Sequence, residues 1–449
     1  MRINRILFLA LMSSSLFITK GYGQTVTIDG ELRSRGEIRD GFQSPLYKGA
    51  DAGTGGFLRT KLGATYDDGK LSAKIQFINT NVSGQTPVTG ATNGGTGTTV
   101  GVSEAWLAYS FAPEFSAAFG RQILSFDDGR LFSGNDFAAT PSYHDLLLLK
   151  YKSKGGFQAQ AGAAFSHNND NTYMSDQAYK VANNYRSMYL LWLGQKVEKV
   201  NISAIFVNDN YNQNSTNNLD PKMQSRYTTG LNFDMNEADM PLFFHAAGYL
   251  QFGKNPQGSK LSSYYINGKV GYKFTPVISA NIGTDIFSGS SYNDILKGKD
   301  NHFNKLYGAN HYFYGYMEYW TNVPNQGLWQ WYVGVTGNIN DKCNVSLNYN
   351  KFSTMKDYGR LDPADPDSEY KKARNIGGEL DLIGRYSYSK SFLIEGGVST
   401  YFKNKNVTLY KTPAGNPDTN GRIQSTPLWA YIMLTFRPTF LSTKVNVDK

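Results

Sequence analysis

The residues of this chain best placed to do chemistry are cations set in strict alternation. In residues 25–39 one parity reads Thr27, Asp29, Glu31, Arg33, Arg35, Glu37 and Arg39. The other reads Val26, Ile28, Gly30, Leu32, Ser34, Gly36 and Ile38. Such a pattern belongs to a strand with one apolar face and one wet face. Arg59, Lys61, Lys74 and Lys150 fall at the wet parity of later segments. In a narrow hydrated pore such a set concentrates anions, and arginine can fork onto carboxylates. The carboxylates of Asp29, Glu31, Glu37 and Glu104 are interleaved with these cations, so a mixed and weakly selective lining stays open as the alternative.

A second group lies in residues 123–143, where Asp127, Asp128, Arg130, Asn135 and Asp136 occur within one long connection. It could fold inward as a constriction, with Arg130 facing a solute and the aspartates fixing the loop. Oxygen ligands for Ca²⁺ are present there, but their spacing is not that of an EF-hand. An ordinary surface loop is the third possibility. The five histidines, His144, His167, His245, His302 and His311, are scattered without HExxH or His-x-His spacing, which argues against a metal centre. No Gly-x-Ser-x-Gly or P-loop signature appears. The single Cys343 excludes an intramolecular disulfide framework.

The elements that must position these groups follow from composition and period. Only 18% of the 449 residues are charged, yet 31 are Tyr, 27 Phe and 46 Gly. That is too aromatic for disorder. Past the first twenty or so residues, no apolar run approaches the length of a spanning helix. Residues 1–23 read as a cleaved secretory signal, with Arg2 and Arg5 before an apolar stretch and small residues before Gln24. Loss of Arg2, Arg5 and Lys20 lowers the formal charge from +9 to +6.

Alternation recurs at 70–78, 157–166 and 242–252, in segments about as long as a tilted strand crossing a bilayer. Short connectors at 67–69, 112–114, 153–155, 194–198, 236–241, 275–276, 340–342 and 387–390 alternate with long polar ones. Keeping that alternation requires 288–328 to be one long outer loop, free to fold into the pore, rather than a strand pair. The count is then about 18 strands in an all-β, transmembrane, antiparallel up-and-down barrel. Tyr66, Phe111, Phe115, Tyr151, Phe157, Tyr272, Phe274, Tyr386 and Phe392 flank the short turns as an interfacial girdle would. The last strand is expected at 426–437, followed by a polar tail.

Several motifs resemble the alginate-export family of outer-membrane barrels. They are Gly30-Glu31-Leu32-Arg33-Ser34-Arg35-Gly36-Glu37, Phe57-Leu58-Arg59-Thr60-Lys61-Leu62 and Ser103-Glu104-Ala105-Trp106. Gly120-Arg121-Gln122 through His144-Asp145 is the most specific, and Leu306-Tyr307-Gly308-Ala309-Asn310-His311 follows later. The resemblance implies an 18-stranded barrel and, by its namesake, a basic lumen that passes an anionic uronate polymer. Phe137 stands where the family's Trp is expected, and Ser142 or Tyr143 replaces an Arg often found before the His-Asp pair. The candidate lining is therefore Arg33, Arg35, Arg39, Arg59, Lys61, Lys74, Glu104, Arg121, Arg130, Asp136, His144 and Lys150.

These readings converge on a passive channel of the outer membrane for anionic saccharides or small anions, without catalysis, cofactor or metal. Its partners would be outer-membrane lipids, an anionic oligo- or polysaccharide, and a periplasmic scaffold such as polymer-exporting relatives use. Nucleic acid is a poor partner, since no Lys/Arg run is contiguous. A plugged structural or adhesive barrel, a barrel-borne hydrolase and a secreted β-sandwich remain as alternatives. A TonB-dependent receptor is disfavoured, because nothing before the first strand resembles a plug domain.

Overall fold

A computed structural model of the chain describes residues 24–82, 100–166, 185–212, 223–309, 311–360, 369–416, 420–424 and 426–443. The expected leader at 1–23, His167 and the last six residues lie outside the described residues. Alternation with a period of two dictates strands, and the described residues form eighteen long ones. They begin with β1 (Thr25–Asp40), β2 (Gly53–Asp67), β3 (Leu71–Val82), β4 (Gly101–Ala112), β5 (Phe115–Gln122) and β6 (His144–Lys152). Then come β7 (Gln158–Phe165), β8 (Ser187–Val197), β9 (Val200–Asn212), β10 (Met223–Met235), β11 (Leu242–Lys254) and β12 (Lys260–Lys273). β13 (Ile278–Phe287), β14 (Leu328–Asn340), β15 (Cys343–Ser353), β16 (Asn375–Ser389), β17 (Phe392–Phe402) and β18 (Leu428–Phe436) complete the set.

Each strand pairs antiparallel with its neighbour in sequence, and β18 returns to β1 with Leu32 opposite Phe436 and Asp40 opposite Leu428. The sheet is thus a closed barrel without free edges. Between β13 and β14 no spanning strand intervenes, because residues 288–327 form a single connection whose only regular pieces among the described residues are short. This is the arrangement that alternation of short and long connectors demands.

The two faces of each strand separate as their side chains predict. Leu32, Ile38, Leu147 and Ile432 are exposed on the outside, and Phe119 is 69% exposed there. Arg33, Arg59 and Trp429 point inward and are buried. An apolar outer face and a polar interior are what a barrel in lipid requires. No described helix is long and apolar enough to cross a membrane.

One end of the barrel carries tight turns built on side-chain caps. Asp68 accepts hydrogen bonds from the amides of Lys70 and Leu71, and Asn340 from those of Lys342 and Cys343. Thr275 accepts from Val277 and Ile278. These are the local bonds that make Asp, Asn and Thr turn residues. At the same end Phe115 lies 6.0 Å from Phe111 and 4.6 Å from Tyr151, which neighbours Phe157 at 6.3 Å. Four of the nine residues expected in a girdle therefore form a run of neighbouring rings.

The segment after Arg437 corrects one expectation. Instead of a tail, Thr439–Ser442 resumes pairing with Thr27–Asp29 of β1 beyond a bulge. The carbonyl of Pro438 accepts the amide of Gly30 at 2.9 Å, and the Phe440 ring covers Gly30. Pro438 breaks the alternation in sequence but stays at a barrel seam where its carbonyl is still useful.

Candidate functional site

The inward parity of β1 and β2 builds a ladder of cations up one wall. Antiparallel register places Arg33 opposite Arg59 and Glu31 opposite Lys61. The last residue of the adjoining segment, Arg437, reaches the same wall from the β18 side. Six cations (Arg33, Arg35, Arg39, Arg59, Lys61 and Arg437) therefore surround Glu31, Glu37 and one residue from a connection, Asp136.

Asp136 sits where these cations converge. Its carboxylate accepts from Arg33 and Arg59 at 2.8 Å each and from Arg437 at 3.0 Å, with the Lys61 ammonium at 3.7 Å. Glu31 holds Arg59 at 2.7 Å and Arg437 at 2.9 Å from the other side. Half of the Asp136 side chain is exposed, at 52%. Burial alone would raise its pKa, but Arg33 and Arg59 outweigh that and hold it well below the usual carboxylate range.

Above Asp136 the ladder is crossed. Arg35 bonds Glu37 at 2.6 Å and is sandwiched between the rings of Phe57 and Phe137, 4.2 Å from each centroid. Arg39, half-exposed nearer the long-loop end, bonds the other oxygen of Glu37 at 2.8 Å. Phe137 stacks on His311, so two long inward connections, 123–143 and 288–327, meet beside Arg35.

They meet again through an isolated parallel bridge between Phe132 and Tyr307 and one further backbone bond. The amide of Tyr307 donates to Leu131 O at 2.9 Å, that of Ser133 to Tyr307 O at 3.1 Å, and that of Ala309 to Gly129 O at 2.9 Å. Gly308 permits this approach, because a Cβ there would overlap the Arg130 backbone. Phe132, Phe303, Tyr314, Met317 and Trp320 are buried in this septum.

Strands on two parts of the wall anchor it. Arg130 bonds Asp128 at 2.7 Å, Asp285 of β13 at 2.6 Å and the Tyr265 hydroxyl of β12 at 2.9 Å, with its guanidinium over the Phe313 ring. Burial would raise Asp128, yet Arg130 and His245 bring it down to about 2. Glu379 of β16 accepts the amide of Met317 at 2.7 Å, and the Trp320 indole donates to Tyr401 of β17 at 3.0 Å.

Against the expected lining, Arg33, Arg35, Arg39, Arg59, Lys61 and Asp136 come together as one site. Lys74 and Glu104 also face inward and pair with each other. Lys150 shares the inward parity of β6 near the short turns, and His144 is buried with its Nδ1 2.9 Å from the Tyr185 hydroxyl. Two placements are corrected. Arg130 does not face a solute: it is buried and neutralised by Asp128 and Asp285, the latter 155 positions away in sequence. Arg121 does not line the pore. It shares the outward parity of Phe115 and Phe119, and forks onto Asp145 at 2.7 and 2.8 Å. The motif that opens with Gly120-Arg121-Gln122 places it in the lining by resemblance, whereas parity within β5 places it outside.

Three contributors escaped the sequence reading. Arg437 lies two residues past Thr435 on the inward parity of β18, a signal that was present but needed knowledge that β18 closes onto β1. Asp285 and Glu379 gave no such signal, since their partners come from distant connections.

A family model described as "Alginate export" matches residues 96–403. No curated protein matches the sequence. Among solved structures, a variant of OccD1 (OprD) superposes with a TM-score of 0.58 at 11% identity, over 93% of this chain and 96% of the other. OpdL of Pseudomonas aeruginosa gives 0.58 at 11% identity over 93% and 99%, and OpdO of the same organism 0.58 at 11% over 93% and 98%. At that identity the likeness concerns the barrel fold alone.

Proposed function

From its place in the alginate export family, to which this chain belongs, we propose that the barrel is a passive outer-membrane channel for anionic saccharides or small anions. The short turns would face the periplasm and the long connections the outside. The observation that carries this reading is Asp136. A half-exposed carboxylate held by four cations supports a site whose chemistry suits the carboxylate of a solute. The protein's own residues would do three things. Arg437 and Arg39, the half-exposed cations of this wall, meet the solute's carboxylate, the buried Arg33 and Arg59 set the positive field behind them, and Glu31 keeps those two guanidinium groups oriented. No bond is made or broken.

A plugged structural barrel is the second reading, favoured by the buried aromatic septum. Single-channel recording of the detergent-folded protein under a KCl gradient, with and without an oligouronate, separates the two. Discrete levels, an anion-side reversal potential and block by the acidic oligosaccharide but not a neutral one are expected. Discrete levels without ion preference or block would remove the anionic solute. Silence from a heat-modifiable, inserted barrel would replace the channel with the plugged form.

A further inference from the structure

We propose that the barrel has a second binding site, a vestibule at the long-loop end that takes a neutral, hydroxyl-rich saccharide. It is a cavity of about 650 Å³ between β9–β12 and the 288–327 connection, across the barrel from the cation ladder on β1, β2 and β18. That volume lies in the range of small-ligand sites.

Its lining differs in kind from the ladder. Four amide side chains, Asn255, Gln257, Asn304 and Asn325, border it together with Tyr211 and Tyr307. Amides and phenols offer donors and acceptors side by side, which matches sugar hydroxyls that do both. Leu261, Ile295 and Leu306 add the apolar surface on which the C–H faces of a sugar ring can rest.

The charges at the cavity are already balanced. Arg226 lies over the Tyr211 ring at 5.2 Å and is paired with the buried Asp209. Asp300 accepts from Asn255 Nδ2 at 2.9 Å and from the amide of His302 at 2.8 Å. Lys299 at the rim carries a charge opposite to that of Asp300, next in sequence. His302 is set against the Val323 carbonyl at 3.0 Å, and burial pushes its pKa down, so it is neutral near pH 7. The charges named here pair off, whereas on the opposite wall cations outnumber carboxylates.

The site also touches the septum. Leu306 and Tyr307 line the cavity, and Tyr307 is the residue whose backbone bonds Leu131 and Ser133. An occupant would rest directly against the segment whose backbone bonds the 123–143 connection. The site does not rest on the anion reading, because its residues and those of the ladder do not overlap.

The test is titration calorimetry of the full-length, detergent-folded protein with maltohexaose, beside the Gln257→Trp and Asn325→Trp variants. Both side chains are exposed at the cavity, so a tryptophan fills it without entering the barrel wall. Saturable binding near one per barrel is expected, weakened at least tenfold by at least one variant while heat-modifiability is kept. Absence of saturable binding to the folded barrel, or binding unchanged in both variants, overturns the proposal. So does tighter binding of a hexaguluronate that is lost in the same variants, since the site would then be anionic in preference. A barrel that conducts anions but does not bind maltohexaose overturns this site alone. One that binds maltohexaose but does not conduct overturns the channel alone.

Discussion

Asp136 occupies the position that a solute carboxylate would take, so its charge sets how strongly the lumen holds anions. Asp136→Asn leaves Arg33, Arg59, Lys61 and Arg437 facing Glu31 alone. Oligouronate block is expected to strengthen about tenfold, or about 1.4 kcal/mol, with the reversal potential moving further to the anion side. Unchanged block in a folded variant would mean that solute never meets this cluster. Lys305 is the second informative residue. Its ammonium lies over the Tyr314 ring, and burial pushes its pKa down to about 7 from an ordinary value near 10.5. Between those two values the unfolded chain holds a proton that the folded one lacks, so stability rises with pH across roughly 7 to 10. Lys305→Met is expected to flatten that slope, read as the unfolding temperature at pH 7 and pH 9.

The septum is an element made from two connections, and its strength lies in where they cross. Gly308→Leu puts a side chain into the Arg130 backbone and is expected to part the 123–143 and 288–327 connections. Conductance should rise severalfold with noisier open levels, while the barrel keeps its heat-modifiable mobility. Conductance unchanged in that variant would show that ions bypass the septum. Arg130→Gln acts on the same element by charge. It strands Asp285, a fully buried carboxylate, and loss of one member of such a pair costs about 3–5 kcal/mol. A lower unfolding temperature than that of Lys74→Gln, which breaks a more accessible pair, is the expected reading.

The whole molecule is a closed barrel whose seam is β1 against β18 and its extension. Truncation after Arg437 removes the Pro438 carbonyl from Gly30 and the bond from the Thr443 amide to Val26 O at 3.0 Å. Backbone groups bared near lipid are costly. The truncated chain is expected to insert and conduct like the full one but to lose its heat-modifiable form at a lower temperature. Equal thermal resistance would make the extension dispensable. Closure also explains why outward glycines such as Gly384 are tolerated: nothing lies within contact of a Cβ there, and lipid asks for no interlocking partner.

The barrel was legible in the chain because lipid outside and water inside act on every strand separately. Leu32, Arg33, Ser34 and Arg35 fall on alternate faces whatever their neighbours are, so parity, turn positions and strand count could be read locally. The turn rule even ruled out a spanning strand at 311–320, where His311 and Trp320 instead pack inside the septum. Arg121, placed in the lining by its motif, lies on the outward parity of β5 with Phe115 and Phe119, a placement the alternation of that strand carries and the motif does not. The fate of each inward charge was not legible. Whether Arg130 meets solute or Asp285, and whether Asp136 is free or clamped by four cations, depends on contacts between connections and distant strands. Local alternation carries no record of such contacts, because the energy of a buried pair depends on both partners and on the path that brings them together.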